Sequence, residues 1–250
     1  MKLNDNIYMP ASGAIALSHA LDCHVYLLDG GDEMALLDAG GGGDPERIVD
    51  NIRRDGLDPR RITTLFLTHV HAHHACGAGA LRELTGARIA CSAIEAPLLA
   101  SGSDRDLGLD RARRSGLYPD DYEYTHSMPD MTFDDGQVFR VGRYTVRAIV
   151  VPGHSVGSVC YLVEGNGPRM LFAGDTVFHG GTIGLGNWEG SSLAAYRQSI
   201  GKLAGLDVDA LFPGHFLWTL ADGQQHLDAA IENVAGAYVP PAWQHLHTLR

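Results

Sequence analysis

The segment Thr68-His69-Val70-His71-Ala72-His73-His74 places four imidazoles within six residues, directly after the apolar run Thr63-Thr64-Leu65-Phe66-Leu67-Thr68. A short run rich in β-branched and large apolar side chains reads as a strand buried on both faces. Such a strand limits what the chain can become: a buried sheet is required, and the histidines sit at a strand end, where rigid scaffolds present functional groups. Packing has no use for four adjacent imidazoles, so an accident of composition is a weak explanation.

The rest of the chain supplies the elements around that strand. Cys23 to Leu28 and Met34 to Leu37 flank Asp29-Gly30-Gly31-Asp32 and read as a hairpin. Pro45 to Arg54 has helical spacing, with Pro45 suited to a first turn. Beyond the histidines, Ala78 to Leu84 reads as helix, Ala87 to Cys91 as strand and Ala93 to Ala100 as helix. Residues 101–126 are polar and aperiodic apart from a short helical signal at Arg111 to Arg114, the pattern of an insertion. A second series follows, with strands at Gln137 to Arg140, Tyr144 to Val151, Val159 to Val163 and Met170 to Ala173. A helix over Ser192 to Leu203, a strand at Ala210 to Phe212 and a helix from Ala221 to Val234 complete it. Runs of strands punctuated by helices predict an α+β chain of two stacked sheets covered by helices. At 250 residues and 45% hydrophobic, the chain is expected to form a single domain, 1–250.

Charge and cysteine usage exclude several classes. A net charge of −11 leaves no basic face for nucleic acid. No apolar run reaches the roughly 20 residues that cross a bilayer, and Met1-Lys2-Leu3-Asn4-Asp5 lacks the order of a signal peptide, so a cytoplasmic location is expected. Cys23, Cys76, Cys91 and Cys160 are far apart with no Cys-x-x-Cys pair, which predicts buried free thiols.

Three later positions repeat the strand-then-ligand construction. His154 lies in Pro152-Gly153-His154-Ser155-Val156-Gly157-Ser158, Asp175 in Gly174-Asp175-Thr176, and His215 in Pro213-Gly214-His215. Any one of them is ordinary turn chemistry, but three of like construction are hard to dismiss. His179, Tyr118 and Tyr124 are weaker candidates for substrate contact, with pinning of a long loop an equal reading for the tyrosines. Trp188 carries no second signal, and His19, His24, His226, His245 and His247 have no motif context.

With the strand end Asp38-Ala39-Gly40, these blocks resemble the metallo-β-lactamase superfamily, which includes glyoxalase II-type thioesterases, lactonases, β-lactamases and persulfide dioxygenases. The resemblance covers nearly the whole chain and implies a four-layer αββα sandwich. It also implies one metal on His69, His71 and His154 and a second on His74 and His215, with Asp175 bridging; zinc, two ions, is expected, with manganese or iron as alternatives. Asp175 and His73 are the expected catalytic positions. The implied activity is hydrolysis of a small ester, lactone or thioester by metal-activated water. A β-lactam hydrolase, a mononuclear iron oxidoreductase of the persulfide dioxygenase type and a non-catalytic metal-binding sensor are the alternatives. One departure stands out: the family's His-x-His-x-Asp-His carries His73 in place of the aspartate. An imidazole there retains a coordinating nitrogen but brings no negative charge, so two readings stay open, a variant dinuclear centre and a site reduced to one metal.

Overall fold

The computed structural model describes residues 1–242, so His245 and His247 lie outside the described residues. Its contacts gather into two compact units, Met1–Phe133 with Arg140–Tyr144, and Asp134–Phe139 with Thr145 onward.

In the first unit six strands pair in chain order: β1 (Ile7–Ala11), β2 (Val25–Asp29), β3 (Met34–Leu37), β4 (Ile62–Phe66), β5 (Arg88–Ser92) and β6 (Met131–Phe133). β1 with β2 and β2 with β3 are antiparallel, and β3 through β6 run parallel. Parallel neighbours need crossovers. α1 (Pro45–Arg54) supplies the first, with Asp44 accepting the Arg47 N–H and Pro45 in the opening turn. The next crossover contains α2 (Ala72–Ala75), a single turn, and α3 (Ala78–Thr85). Ile48, Val49 and Ile52 of α1 and Leu81 of α3 bury against Leu27, Leu36, Leu65 and Ile89 of the sheet. α4 (Ala96–Ser101) starts three residues later than the sequence suggests, because Pro97 belongs in a first turn and cannot sit mid-helix. Within 101–126, α5 (Leu109–Arg114) is the expected short helix; Leu107, Leu109 and Tyr118 of this segment join the same core.

The second sheet, ordered β11-β10-β9-β8-β7, is built from β7 (Val138–Val141), β8 (Tyr144–Val150), β9 (Val159–Glu164), β10 (Met170–Gly174) and β11 (Ala210–Pro213), and apart from Arg140, Val141 and Tyr144 its strands lie in the second unit. β8, β9 and β10 are antiparallel, whereas β10 and β11 are parallel and joined through α6 (Leu193–Ser199). The helix expected over Ser192 to Leu203 stops at Ser199 and continues as a 3-10 turn over Ile200–Leu203. Tyr196, Leu203 and, from α7 (Gly223–Ala235), Leu227 and Val234 bury against Ile149, Leu162, Leu171 and Leu211. Each unit is thus a mixed sheet with helices packed on it.

All four cysteines are free and buried, as their scatter in the sequence predicts. Burial pushes the Cys23 thiol up to about 11 and that of Cys160 up to about 12. No helix among the described residues is long and apolar enough to cross a membrane.

Candidate metal centre

In the first unit the parallel register sets Leu37 opposite Phe66, so the two chains leave the sheet side by side as Asp38 and Thr68. Asp38 has φ of 65°, a left-handed conformation that costs a non-glycine residue about 1–2 kcal/mol. The strain aims its buried carboxylate across the gap. It accepts the Thr68 N–H at 2.7 Å, the Thr68 hydroxyl at 2.8 Å and the His74 Nδ1–H at 2.8 Å. A carboxylate only accepts, so the His74 hydrogen is on Nδ1 and Nε2 keeps its lone pair. Since the Thr68 hydroxyl gives its one hydrogen to Asp38, its oxygen accepts from His69 Nδ1 at 3.0 Å, which leaves His69 in the same tautomer.

One strand end and one helical turn therefore gather the imidazoles. Ring centroids lie 4.6 Å apart for His69 and His71, 4.1 Å for His69 and His74, and 4.3 Å for His73 and His74. His69 and His74 are buried, while His71 and His73 are half-buried. His69 and His71 offer ligand atoms within 4.8 Å of each other, as do His73 and His74. The backbone between the first two is held from both sides: Val70 N–H donates to Glu95 Oε2 at 3.0 Å, and the Tyr124 hydroxyl donates to Val70 O at 2.9 Å. Glu95, 1% exposed, carries no sequence motif that would single it out. The Tyr118 hydroxyl reaches His73, 2.6 Å from Nδ1.

In the second unit His154, Asp175 and His215 come together. His154 leaves β8 in a turn whose Gly153 sits against the buried ring of Tyr196; a Cβ at Gly153 would lie 2.3 Å from that ring. Gly153→Ala is expected to cost about 1–3 kcal/mol by overpacking and to displace His154, read as a lower thermal midpoint and weaker metal uptake. An unchanged midpoint would show that the turn has room. His154 Nδ1 donates to Gly184 O at 2.6 Å, so Nε2 is the available nitrogen. That Nε2 lies 3.6 Å from Asp175 Oδ2, and His215 Nε2 lies 3.5 Å from the same oxygen. Both spacings are long for hydrogen bonds. They fit two donors on one ion, since tetrahedral bonds of about 2.1 Å put ligand atoms about 3.4 Å apart. The donor chemistry agrees: two imidazoles, that of His154 with its outer nitrogen engaged, and a buried carboxylate.

Trp188 donates from Nε1 to His154 O at 2.9 Å and packs edge-on to its ring, so it supports the His154 turn. His179 is exposed and its ring lies 4.3 Å from that of His226, which accepts the Gly180 N–H. Tyr118 and Tyr124 both turn their hydroxyls to the histidine loop.

A family model described as metallo-beta-lactamase superfamily matches residues 20–215, and the chain belongs to that superfamily. Among curated proteins it is 29% identical over 193 residues to an atrochrysone carboxyl ACP thioesterase of Aspergillus fumigatus, a match covering 77% of this chain and 50% of that protein. It is also 29% identical over 167 residues to a hydroxyacylglutathione hydrolase of Cereibacter sphaeroides, covering 66% of this chain and 52% of that one. The chain spans about half the length of the curated relatives it matches. Among solved structures, a metallo-beta-lactamase of Elizabethkingia meningoseptica superposes with a TM-score of 0.72 at 19% identity, covering 94% of this chain and 90% of that one. The fold class is accordingly α+β, of the metallo-β-lactamase type.

Proposed function

We propose that the chain is a metal-dependent hydrolase that cleaves a small ester, lactone or thioester, and that the thioester is the leading substrate class. The observation that carries this reading is the buried Asp175 carboxylate with the Nε2 atoms of His154 and His215 at 3.6 and 3.5 Å, a spacing suited to ions rather than to hydrogen bonds. In this reading His69, His71 and His154 would hold one ion and His73, His74 and His215 a second, with Asp175 as the ligand they share. Zinc is the expected metal, with manganese and iron as alternatives. Both units then serve one catalytic domain, 1–250, with 101–126 as an insertion.

When bound, the ions supply Lewis acidity, lowering the pKa of water and polarising the scissile carbonyl. The chain's own residues prepare that chemistry. Asp38, Thr68 and Gly184 O hold the Nδ1 hydrogens of His74, His69 and His154, so each ring presents a fixed Nε2. Asp175 supplies negative charge where the imidazoles supply none, and the Glu95–Val70 bond keeps His69 and His71 from spreading. In this reading the exposed His179 contacts substrate, and Tyr118 and Tyr124 act through the histidine loop. The thioester preference draws on two relatives named as a thioesterase and a hydroxyacylglutathione hydrolase. A small-molecule substrate and a cytoplasmic setting go with this reading.

The test is metal analysis of protein purified without chelator, followed by a panel of thioester, lactone and β-lactam substrates with oxygen uptake monitored. One to two equivalents of zinc, manganese or iron and turnover of thioester or lactone without oxygen consumption are expected. Less than about half an equivalent, with no activation on adding metal, sinks the proposal. Turnover confined to β-lactams, or oxygen uptake with a persulfide, replaces it with the corresponding alternative.

A further inference from the structure

The insertion carries three tyrosines, and each hydroxyl is tied to a loop next to the histidines. Tyr122 donates to Gly41 O at 2.7 Å and Tyr124 to Val70 O at 2.9 Å, both backbone contacts. Tyr118 differs, because it meets a side chain of the proposed ligand set. Its ring is 9% exposed and packs 4.7 Å from that of Tyr122. Its oxygen accepts the backbone N–H of His73 at 3.2 Å and sits 2.6 Å from His73 Nδ1.

Three other imidazoles show what that contact does. His74 rests its Nδ1 on Asp38, His69 on Thr68 and His154 on Gly184 O, and in each the outer bond decides which nitrogen faces inward. Ligating histidines almost always have such an outer partner, which fixes tautomer and ring orientation. His73 has the same construction with a phenol as partner.

We propose that Tyr118 is the outer partner that makes His73 a ligand of the second ion: the phenolic oxygen accepts Nδ1–H, and Nε2 keeps the lone pair for the metal. The imidazole at the position where the family carries a carboxylate thus comes with its own support, delivered from the insertion. An aspartate there needs no tautomer fixed; a histidine does. Tyr118 is a positioning residue, and the inference rests on the hydrolase reading above.

The experiment is a cobalt titration of metal-free protein, following visible absorption and the affinity for the second equivalent, on wild type, Tyr118→Phe, His73→Asp and the double variant. Tyr118→Phe is expected to weaken the second equivalent by at least ~10-fold, the low end for losing an outer partner, and to alter the cobalt spectrum while sparing the first equivalent. In the His73→Asp background the same change is expected to cost less than about threefold, because the carboxylate has no tautomer to lose. Equal penalties in both backgrounds, or no penalty, overturn the proposal and reduce Tyr118 to a strap. Nitrogen-15 chemical shifts of His73 in the zinc-loaded wild type give a reading that needs no variant: a protonated Nδ1 with a metal-bound Nε2 supports the assignment, and a protonated Nε2 overturns it. Wild type that binds less than half an equivalent of cobalt overturns the hydrolase reading as well, whereas the other negative outcomes leave that reading standing.

Discussion

Asp38→Ala is expected to lower unfolding free energy by about 3–5 kcal/mol, the range for removing one partner of a buried charged network. Three donors lose their acceptor together: the Thr68 N–H, the Thr68 hydroxyl and His74 Nδ1. Each is buried, so each keeps its desolvation cost without a bond. Alanine also inherits the left-handed backbone at φ 65° without a side chain that bonds locally to relieve it. For a chain of this length one kcal/mol moves the melting midpoint by about 2–4 °C, so a drop near 10 °C is expected by calorimetry. Metal uptake is expected to fall with it, since His74 loses the bond that fixes its tautomer. Asp38→Asn keeps one acceptor oxygen for Thr68 and is expected to fall between the two. A loss below about 1 kcal/mol in the alanine variant shows that the network is ornamental.

Stripping the metal is expected to have the next largest effect. An ion present at about a thousand times its dissociation constant stabilises the folded chain by about 4 kcal/mol, which corresponds to roughly 8–16 °C here. Dialysis against chelator is therefore expected to lower the midpoint by that much and abolish turnover, and zinc readdition to restore both. A midpoint that moves by less than about 2 °C, with turnover intact, removes the ions from the folded protein and from the reaction. The two perturbations are distinguishable, because zinc reverses the second and leaves the first largely uncorrected.

The elements that were legible in the sequence are those whose signals are local. α1 runs over Pro45–Arg54 as expected, because cap, proline and apolar spacing all lie within one segment. β1 escapes notice because Pro10 interrupts its apolar run, a residue tolerated only at edges, and β1 ends the sheet order. β6 is three residues long and is defined by its parallel pairing to β5, which lies some forty residues earlier in the chain. Of the candidate site, residue types and order are readable, since each ligand-type residue follows a strand. What holds them is not: Asp38 and His74 are 36 residues apart, Val70 and Glu95 are 25 apart, and Tyr118 and His73 are 45 apart. No local pattern links such pairs, so Tyr118 reads from sequence equally as a substrate contact or as a pin for a long loop, and nothing singles out Glu95.

The burial of all four thiols has a practical side. Only a thiolate attacks an alkylating agent or a disulfide, and burial raises every one of these thiols above the usual cysteine range. Cys160, pushed up to about 12 by burial and fully enclosed, is held as the unreactive thiol at neutral pH. The native molecule is consequently almost inert toward maleimides and oxidised glutathione, while any opening that wets the second unit's core exposes a thiol of ordinary reactivity. Labelling kinetics at Cys160 thus clock the excursions of its sheet from the native state, without any engineered probe.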